Sequence, residues 1–520
     1  MTPKPVAKDS QTSTHVDKKA PPHASKHSSK GLDSLEKGDY TCHRVIAQND
    51  RTTQIKMRQF ARKNYLPLLI LISSIVFLIT SFIYVQFSSP PSGDEPHYLI
   101  ISQTLLKYHS LNVMLDYSNG DYHAFYPYTI DPHLSYGAHG QLMPLHSIGA
   151  PILWLLPFYV LGRLGAVFFI SLLSILIIVN IYKLLITMNI GATYAFVVSM
   201  AYAIASPVYL YSHLTFIEPV GALICIYVLR KILQKERTLT EVIVSSLLLS
   251  ILPWVHIRFA YFELVLFFAL LFRIYEQNQL KHFKYYACLL LPVTISFLAY
   301  EIYTYSFWGT LNPGAIEMND IHHNSSPFAA APFNAMLGIF LDQQYGFLIN
   351  FPIFILLFPG IFLAIKNHCT RYNLLMLILT VPYILLFASI NNWTGGWSPP
   401  ARLIFVLLPL YSFYLAYALQ QINSLFACLV VAATTLYGLT YNILSLSPAL
   451  NSFNSPTGYN RTILHLQLFN FRLTDILPSM FLANQASLFV LWVVIFAGLS
   501  GSLILSQRLK RWPAVPHDHH

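Results

Sequence analysis

The chain has 520 residues, 55% hydrophobic and only 10% charged, with a mean hydropathy of +0.51 and a formal net charge of +10. A soluble globular chain carries about 25% charged residues, so this composition excludes an ordinary soluble enzyme and predicts an all-α polytopic membrane protein. The five cysteines (Cys42, Cys225, Cys288, Cys369, Cys428) form no CxxC pair and none falls in a segment expected outside, so neither a disulfide framework nor a cysteine metal site is predicted.

Residues 1–64 hold 13 Lys+Arg against 6 Asp+Glu, with many Ser, His and Pro and no apolar periodicity. Such a segment buries too little surface to offset its ordering entropy. It reads as a disordered basic cytoplasmic tail drawn to anionic lipid headgroups, and nucleic acid is not an expected partner. The uncharged run 65–86 then covers the roughly 30 Å of a bilayer's hydrocarbon at 1.5 Å per residue. Further apolar runs lie near 164–187, 191–210, 214–229, 242–257, 259–272, 286–304, 346–365, 373–390, 403–420, 423–443 and 486–506, about twelve transmembrane helices in all within 65–510. Placing both termini in the cytoplasm, with a short tail at 511–520, puts nearly every Lys and Arg inside, as the positive-inside rule requires. Outer loops are then expected at 87–147, 305–345, 392–402 and 444–485. They carry nine acids and only four bases, Lys107, Arg402, Arg461 and Arg472. Sequons at Asn324, Asn392 and Asn460 and the terminal HDHH carry no inference.

The first outer loop opens "SGDEPHYL", with Asp94 and Glu95 directly behind the first span. After Pro96, Tyr98, Ile101, Leu105 and Tyr108 form a helical stripe, which predicts an amphipathic helix on the membrane surface. Acids and a proline suit the first turn of such a helix, so capping alone could explain the pair. A second surface helix is predicted over 148–162. Other ionisable residues sit at span ends expected on the same face: Glu218, His256 with Arg258, Asp342 and Arg402. Charge beside hydrocarbon is costly and commonly lines a cavity. Together these residues predict one polar cavity, with His97, Tyr98, His146, Glu218, Asp342, Tyr345 and Trp397 as its lining.

The chain resembles the GT-C superfamily of membrane glycosyltransferases, in the branch of the protein O-mannosyltransferases and the lipid A aminoarabinose transferases. "GDEPHYL" matches the Asp or Asp-Glu pair this group carries after its first span, and "HSIGAPILWLLPFYVLG", "FIEPVGAL", "LDQQYGFL" and "GGWSPPAR" look like segments of its uncharacterised bacterial members. The resemblance implies transfer of a sugar from a polyprenyl-phosphate donor to a glycolipid, glycan or protein acceptor at the periplasmic face of a bacterial inner membrane, with inversion. Asp94 is then the general base, Glu95 helps orient acceptor or base, and Arg258 and Arg402 hold the donor phosphate, with His256 as a further donor. No obligatory metal is expected; a divalent ion (Mg²⁺ or Mn²⁺) at the first-loop carboxylates stays open, because some members of the group use one and others none. The competing readings are a lipid-linked-sugar flippase or other transporter, and a noncatalytic lipid-binding scaffold on the same shell.

Overall fold

A computed structural model describes residues 64–87, 90–277, 283–318, 332–389, 393–447, 457–464, 467–468 and 471–507. The expected tails, apart from Asn64, and the sequons at Asn324 and Asn392 lie outside the described residues.

Six helices are long and apolar enough to cross a membrane: Asn64–Phe87, Arg163–Thr187, Phe283–Trp308, Thr370–Ala388, Leu425–Leu444 and Ala486–Ser506. Each coincides with an expected span. The other six expected spans are shorter or interrupted, and proline does most of the interrupting because it lacks an N–H and its ring collides with the preceding turn. The run 191–210 divides into Ala192–Ala205 and Pro207–Tyr211; 242–257 becomes Leu239–Leu249 and Leu252–Val255; 346–365 becomes Phe347–Asn350, a 3₁₀ turn at Pro352–Leu356 and Leu357–Lys366. In 403–420, helix begins only at Ser412, beyond Pro409. The remaining two, Glu218–Leu233 and Ala260–Glu276, are unbroken but shorter than a full span.

The core lies where Arg163–Thr187, Ala192–Ala205 and Glu218–Leu233 pack together and where Leu357–Lys366 packs on Ser412–Ile422. Side chains such as Ile177, Ile181, Val228, Leu229, Leu407 and Leu415 are fully buried there. The long helices at the rim instead expose Leu71, Ile79, Leu291, Leu377 and Val494, as lipid-facing surfaces do.

The first loop departs from the expected pair of surface helices. Glu95–Tyr108 is a helix, but residues 95–102 and 104 are buried, because Met114–Asn119, Gly149–Leu153 and Leu155–Leu161 pack around it. The stripe read from sequence underestimates this enclosure, since it carries no information about what the loop folds back over the helix. The second expected helix is broken at Trp154 into Gly149–Leu153 and Leu155–Leu161, where Pro157 has no N–H to give the carbonyl of Leu153. Its outward side chains Leu156, Tyr159 and Val160 are strongly exposed. The all-α expectation also misses two short antiparallel hairpins, Leu134–Tyr136 with Leu142–Pro144 and Gln467–Leu468 with Phe471–Arg472.

Candidate functional site

Asp94 stands at the N-cap of the first-loop helix yet makes no side-chain capping bond. Its Oδ2 instead accepts from the Arg402 guanidinium, 308 residues away. Two backbone devices bring them together. Gly93, at φ +59°, lies so close to the Trp397 carbonyl that a Cβ there would come within 1.9 Å of its oxygen. On the other side, Gly395 and Gly396 at φ +80° and +75° turn the connection back, and Ala401 adopts the left-handed region (φ +67°) just before Arg402. For a residue with a Cβ that conformation costs about 1–2 kcal/mol, and the Ala401 N–H bonded to the Tyr345 carbonyl (3.0 Å) helps hold it.

Arg402 is held on every side. Its Nε donates to Glu218 Oε1 (2.9 Å), another nitrogen donates to the Gly395 carbonyl, and the guanidinium lies over the Phe216 ring at 4.8 Å. Glu218 is fully buried, and the same Oε1 also accepts from Arg258. The result is a chain of alternating charge, Asp94, Arg402, Glu218, Arg258, that is neutral overall. Removing Glu218, the fully buried member that serves both arginines, would leave uncompensated charge, which typically costs 3–5 kcal/mol. Burial alone would raise the Asp94 pKa, but Arg402, helped by His146 and His133, outweighs it and holds this carboxyl well below the usual carboxylate range. Asp94 is therefore ionised, with its side chain 18% exposed.

Three histidines gather beside it. The hairpin Leu134–Tyr136/Leu142–Pro144 pairs Leu134 with Pro144, so His133 and His146, just beyond its open end, are brought to 3.1 Å between Nδ1 and Nε2. His97 follows from the first turn of the helix. Its ring stacks on His133 at 3.6 Å, and its Nδ1 is 2.6 Å from the Tyr117 hydroxyl. Burial, and then the neighbouring His133 and His146, push His97 well below the ordinary imidazole value, so it stays neutral. Ligand atoms of Asp94, His133 and His146 lie within 4.8 Å of one another. Two imidazoles and one carboxylate form a donor set suited to Zn²⁺ or Mn²⁺ rather than to Mg²⁺, which prefers oxygen alone.

No family model and no curated protein matches the chain. Among solved structures, ArnT from Cupriavidus metallidurans bound to undecaprenyl phosphate is similar at a TM-score of 0.48 and 14% identity, over 86% of this chain and 73% of that one. The archaeal oligosaccharyltransferase AglB from Archaeoglobus fulgidus, in complex with an inhibitory peptide and a dolichol-phosphate, is similar at a TM-score of 0.41 and 12% identity, over 76% of this chain and 59% of that one. Both are members of the GT-C superfamily.

Asp94, Arg402, Arg258 and Glu218 thus meet in one ion-pair chain with His146 and His97 beside it, while Glu95 and Asp342 are engaged by other donors. Glu95, adjacent to Asp94, is turned away and fully buried. Its Oε1 accepts from the Thr215 N–H (2.8 Å) and hydroxyl (3.2 Å), and its Oε2 from the Ser92 N–H (3.0 Å) and the Tyr84 hydroxyl (3.4 Å). That carboxylate ties the helix start to the 212–217 turn. Asp342 is also fully buried and accepts three backbone N–H groups, from Gln344, Tyr345 and Met480, at 2.8–2.9 Å. Burial pushes its pKa up to about 6 against those bonds. Tyr98 is 1% exposed between His146 and Trp154, and Tyr345 packs against Trp393 and Phe481. His256 accepts the Arg258 N–H at 3.2 Å, and Trp397 presents a side chain 54% exposed. Sequence reasoning missed His133. The two-histidine hairpin was the available signal, and it emerges only if "HLSYGAHGQLMPLH" is read as strand, turn and strand.

Proposed function

We propose that the protein is a membrane glycosyltransferase that moves a sugar from a polyprenyl-phosphate donor to an acceptor hydroxyl at the outer membrane face, with inversion. The observation that carries this reading is the direct pairing of Asp94 with Arg402 at the edge of a charge-neutral buried network. The pair leaves no gap for a carbohydrate ring, so the donor must open it. An arriving phosphate is a two-pronged acceptor for a guanidinium, and it takes Arg402 in exchange for Asp94. The freed carboxylate, now without its counter-ion, gains proton affinity and can act as base.

In the transfer step, the acceptor oxygen bonds to the anomeric carbon as its proton passes to Asp94. The bond from that carbon to the phosphate oxygen breaks, and polyprenyl phosphate leaves as an anion held by Arg402. Arg258 reaches the same phosphate from beside Glu218, which positions both guanidinium groups, and His256 adds a donor. His97, His133 and His146 wall the base, and their ring nitrogens offer a relay for its proton. The exposed Trp397 indole gives the sugar ring a stacking face. A divalent ion is not required here, because Arg402 already supplies the cation for the leaving group. Where one binds, Asp94, His133 and His146 are the residues that fit it, and it would supply Lewis-acid charge while engaging the carboxylate that otherwise serves as base.

The test is full-length protein reconstituted with labelled lipid-linked sugar, with free polyprenyl phosphate and glycosylated acceptor as the readout. Label that crosses the bilayer without release of polyprenyl phosphate would establish the transporter instead. Mass spectrometry of envelope glycolipids and glycoproteins with and without Asp94→Asn would identify sugar and acceptor together; an unchanged glycan profile would favour the scaffold. The reading places the protein in a bacterial inner membrane with both termini cytoplasmic.

A further inference from the structure

A cavity of about 360 Å³ lies between the C-terminal half of the helix Glu95–Tyr108, the 3₁₀ turn Asp121–Ala124 and the junction of Leu155–Leu161 with Arg163–Thr187. Leu106, Phe125 and Phe158 give it apolar walls, and Gln103, Lys107 and Arg163 give it donors; none of its lining residues is acidic. Gln103 and Lys107 are one helical turn apart and so share a face. Lys107 is half exposed and spends one of its three N–H donors on Asp121 Oδ1 (2.6 Å). The Arg163 guanidinium lies over the Tyr84 ring at 5.2 Å.

The level of the cavity in the molecule limits what fits it. Arg163 is the first residue of a 25-residue helix long and apolar enough to span, so it sits where hydrocarbon gives way to headgroups. Beside it, Leu156, Tyr159, Val160 and Leu161 are 72%, 73%, 64% and 54% exposed, an apolar surface continuous with the cavity wall that a bilayer would cover. Two cations above an apolar cleft at that depth, Lys107 sharing its charge with the solvent-side Asp121 and Arg163 with the buried Glu95, complement a phosphate carrying hydrocarbon chains. Lys107 is thirteen residues beyond Asp94, roughly 20 Å along the helix at 1.5 Å per residue, so a phosphate held on Lys107 is out of reach of Asp94, although Arg163 closes the cavity on the side nearer Glu95.

We propose that this cavity binds the phosphate headgroup of an anionic membrane phospholipid in the leaflet facing the first loop, and that this lipid anchors the helix whose start carries Asp94. The inference rests on the protein's being membrane-embedded and not on its being a transferase. It is tested with full-length protein in a neutral detergent, by native mass spectrometry of bound phosphatidylglycerol against phosphatidylcholine. Wild type is expected to prefer phosphatidylglycerol by at least about ten-fold, the worth of one charge-assisted contact. Lys107→Glu is expected to abolish that preference and Lys107→Gln, which removes the Asp121 ion pair without adding repulsion, to weaken it, with thermal unfolding in the same detergent confirming that each variant is folded. Equal binding of the two lipids by wild type, or an undiminished preference in both variants, overturns the proposal. So does displacement of phosphatidylglycerol by millimolar inorganic phosphate, which would mark a free-anion site, or by an equal concentration of a short prenyl phosphate, which would mark a donor site.

Discussion

Asp94→Asn and Asp342→Asn separate the two roles a buried acid can play here. Asp94 is 18% exposed, and its partner Arg402 keeps Glu218 Oε1 and the Gly395 carbonyl when the charge is removed. The substituted amide still offers Oδ1 to the guanidinium, so the stability lost is about 1 kcal/mol, the scale of one partly exposed charged contact. A general base contributes about 10²–10⁴-fold, equivalent to roughly 3–5 kcal/mol of barrier at 1.36 kcal/mol per ten-fold. Asp342 reverses the proportions. Its two oxygens take three backbone N–H groups, and an asparagine has only one acceptor oxygen. At least one buried N–H must then face an NH₂ group, at a cost of about 1–3 kcal/mol. Release of polyprenyl phosphate and thermal unfolding in the same detergent measure both quantities. Asp94→Asn is expected to lose at least 100-fold in turnover with near-native unfolding, and Asp342→Asn to unfold earlier while its folded fraction remains active. Turnover of Asp94→Asn within ten-fold of wild type, or unfolding as early as that of Asp342→Asn, would refute the assignment of Asp94 as base.

Gly93→Ala drives a Cβ to 1.9 Å from the Trp397 carbonyl at φ +59°, so the site must shift at a cost of about 2–4 kcal/mol; Gly498→Ala, which meets nothing within 4 Å, is the control, and equal stability and activity of the two variants would dismiss the contact. Burial, and then the neighbouring Asp121, raise Asp116 from 3.8 to about 7, partly offset by Lys107. A carboxyl raised on folding contributes most below its unfolded value and loses that contribution as pH climbs through its folded one, so wild type is expected to lose about 2–3 kcal/mol relative to Asp116→Asn between pH 5 and 8; parallel pH profiles of unfolding would contradict this. Turnover is expected to survive EDTA, whereas micromolar Zn²⁺ inhibits by occupying Asp94, His133 and His146, and His133→Ala/His146→Ala removes the inhibition. Loss of turnover in EDTA with recovery in Mn²⁺ or Mg²⁺ would show the metal to be required.

The membrane class and the six long helices are legible in the sequence because hydropathy over some 20 residues is a property of the segment alone. The interrupted helices are less so. Pro207, Pro253, Pro352 and Pro409 are visible, but a proline marks a break without saying whether the two pieces still lie in line. Arg402 could be selected because one of few cations among acids at one face stands out, and Arg258 and Glu218 because ionisable residues at span ends are costly beside hydrocarbon. That Glu218 would join the two arginines instead of lining a cavity could not be read, since it depends on where a helix starting at residue 218 meets a connection near residue 402. Enclosure of the first-loop helix has the same origin. Its apolar stripe describes one face, and its burial is decided by residues 114–119 and 149–161 folding over the other.

The adjacent acids Asp94 and Glu95 concentrate the difficulty. Consecutive residues at a helix start point about 100° apart, so a pair that looks like a unit in sequence faces two environments. Asp94 is turned toward a guanidinium that carries other obligations and remains partly open to solvent. Glu95 is turned inward, where two backbone N–H groups and two hydroxyls saturate it. A carboxylate already saturated by fixed donors has no lone pair left for a reacting hydroxyl, whereas one held by a single guanidinium can exchange that partner for a proton. The site's chemistry therefore depends on Asp94 being paired to something a phosphate can take away, and Glu95 contributes by fixing the helix turn from which Asp94 projects.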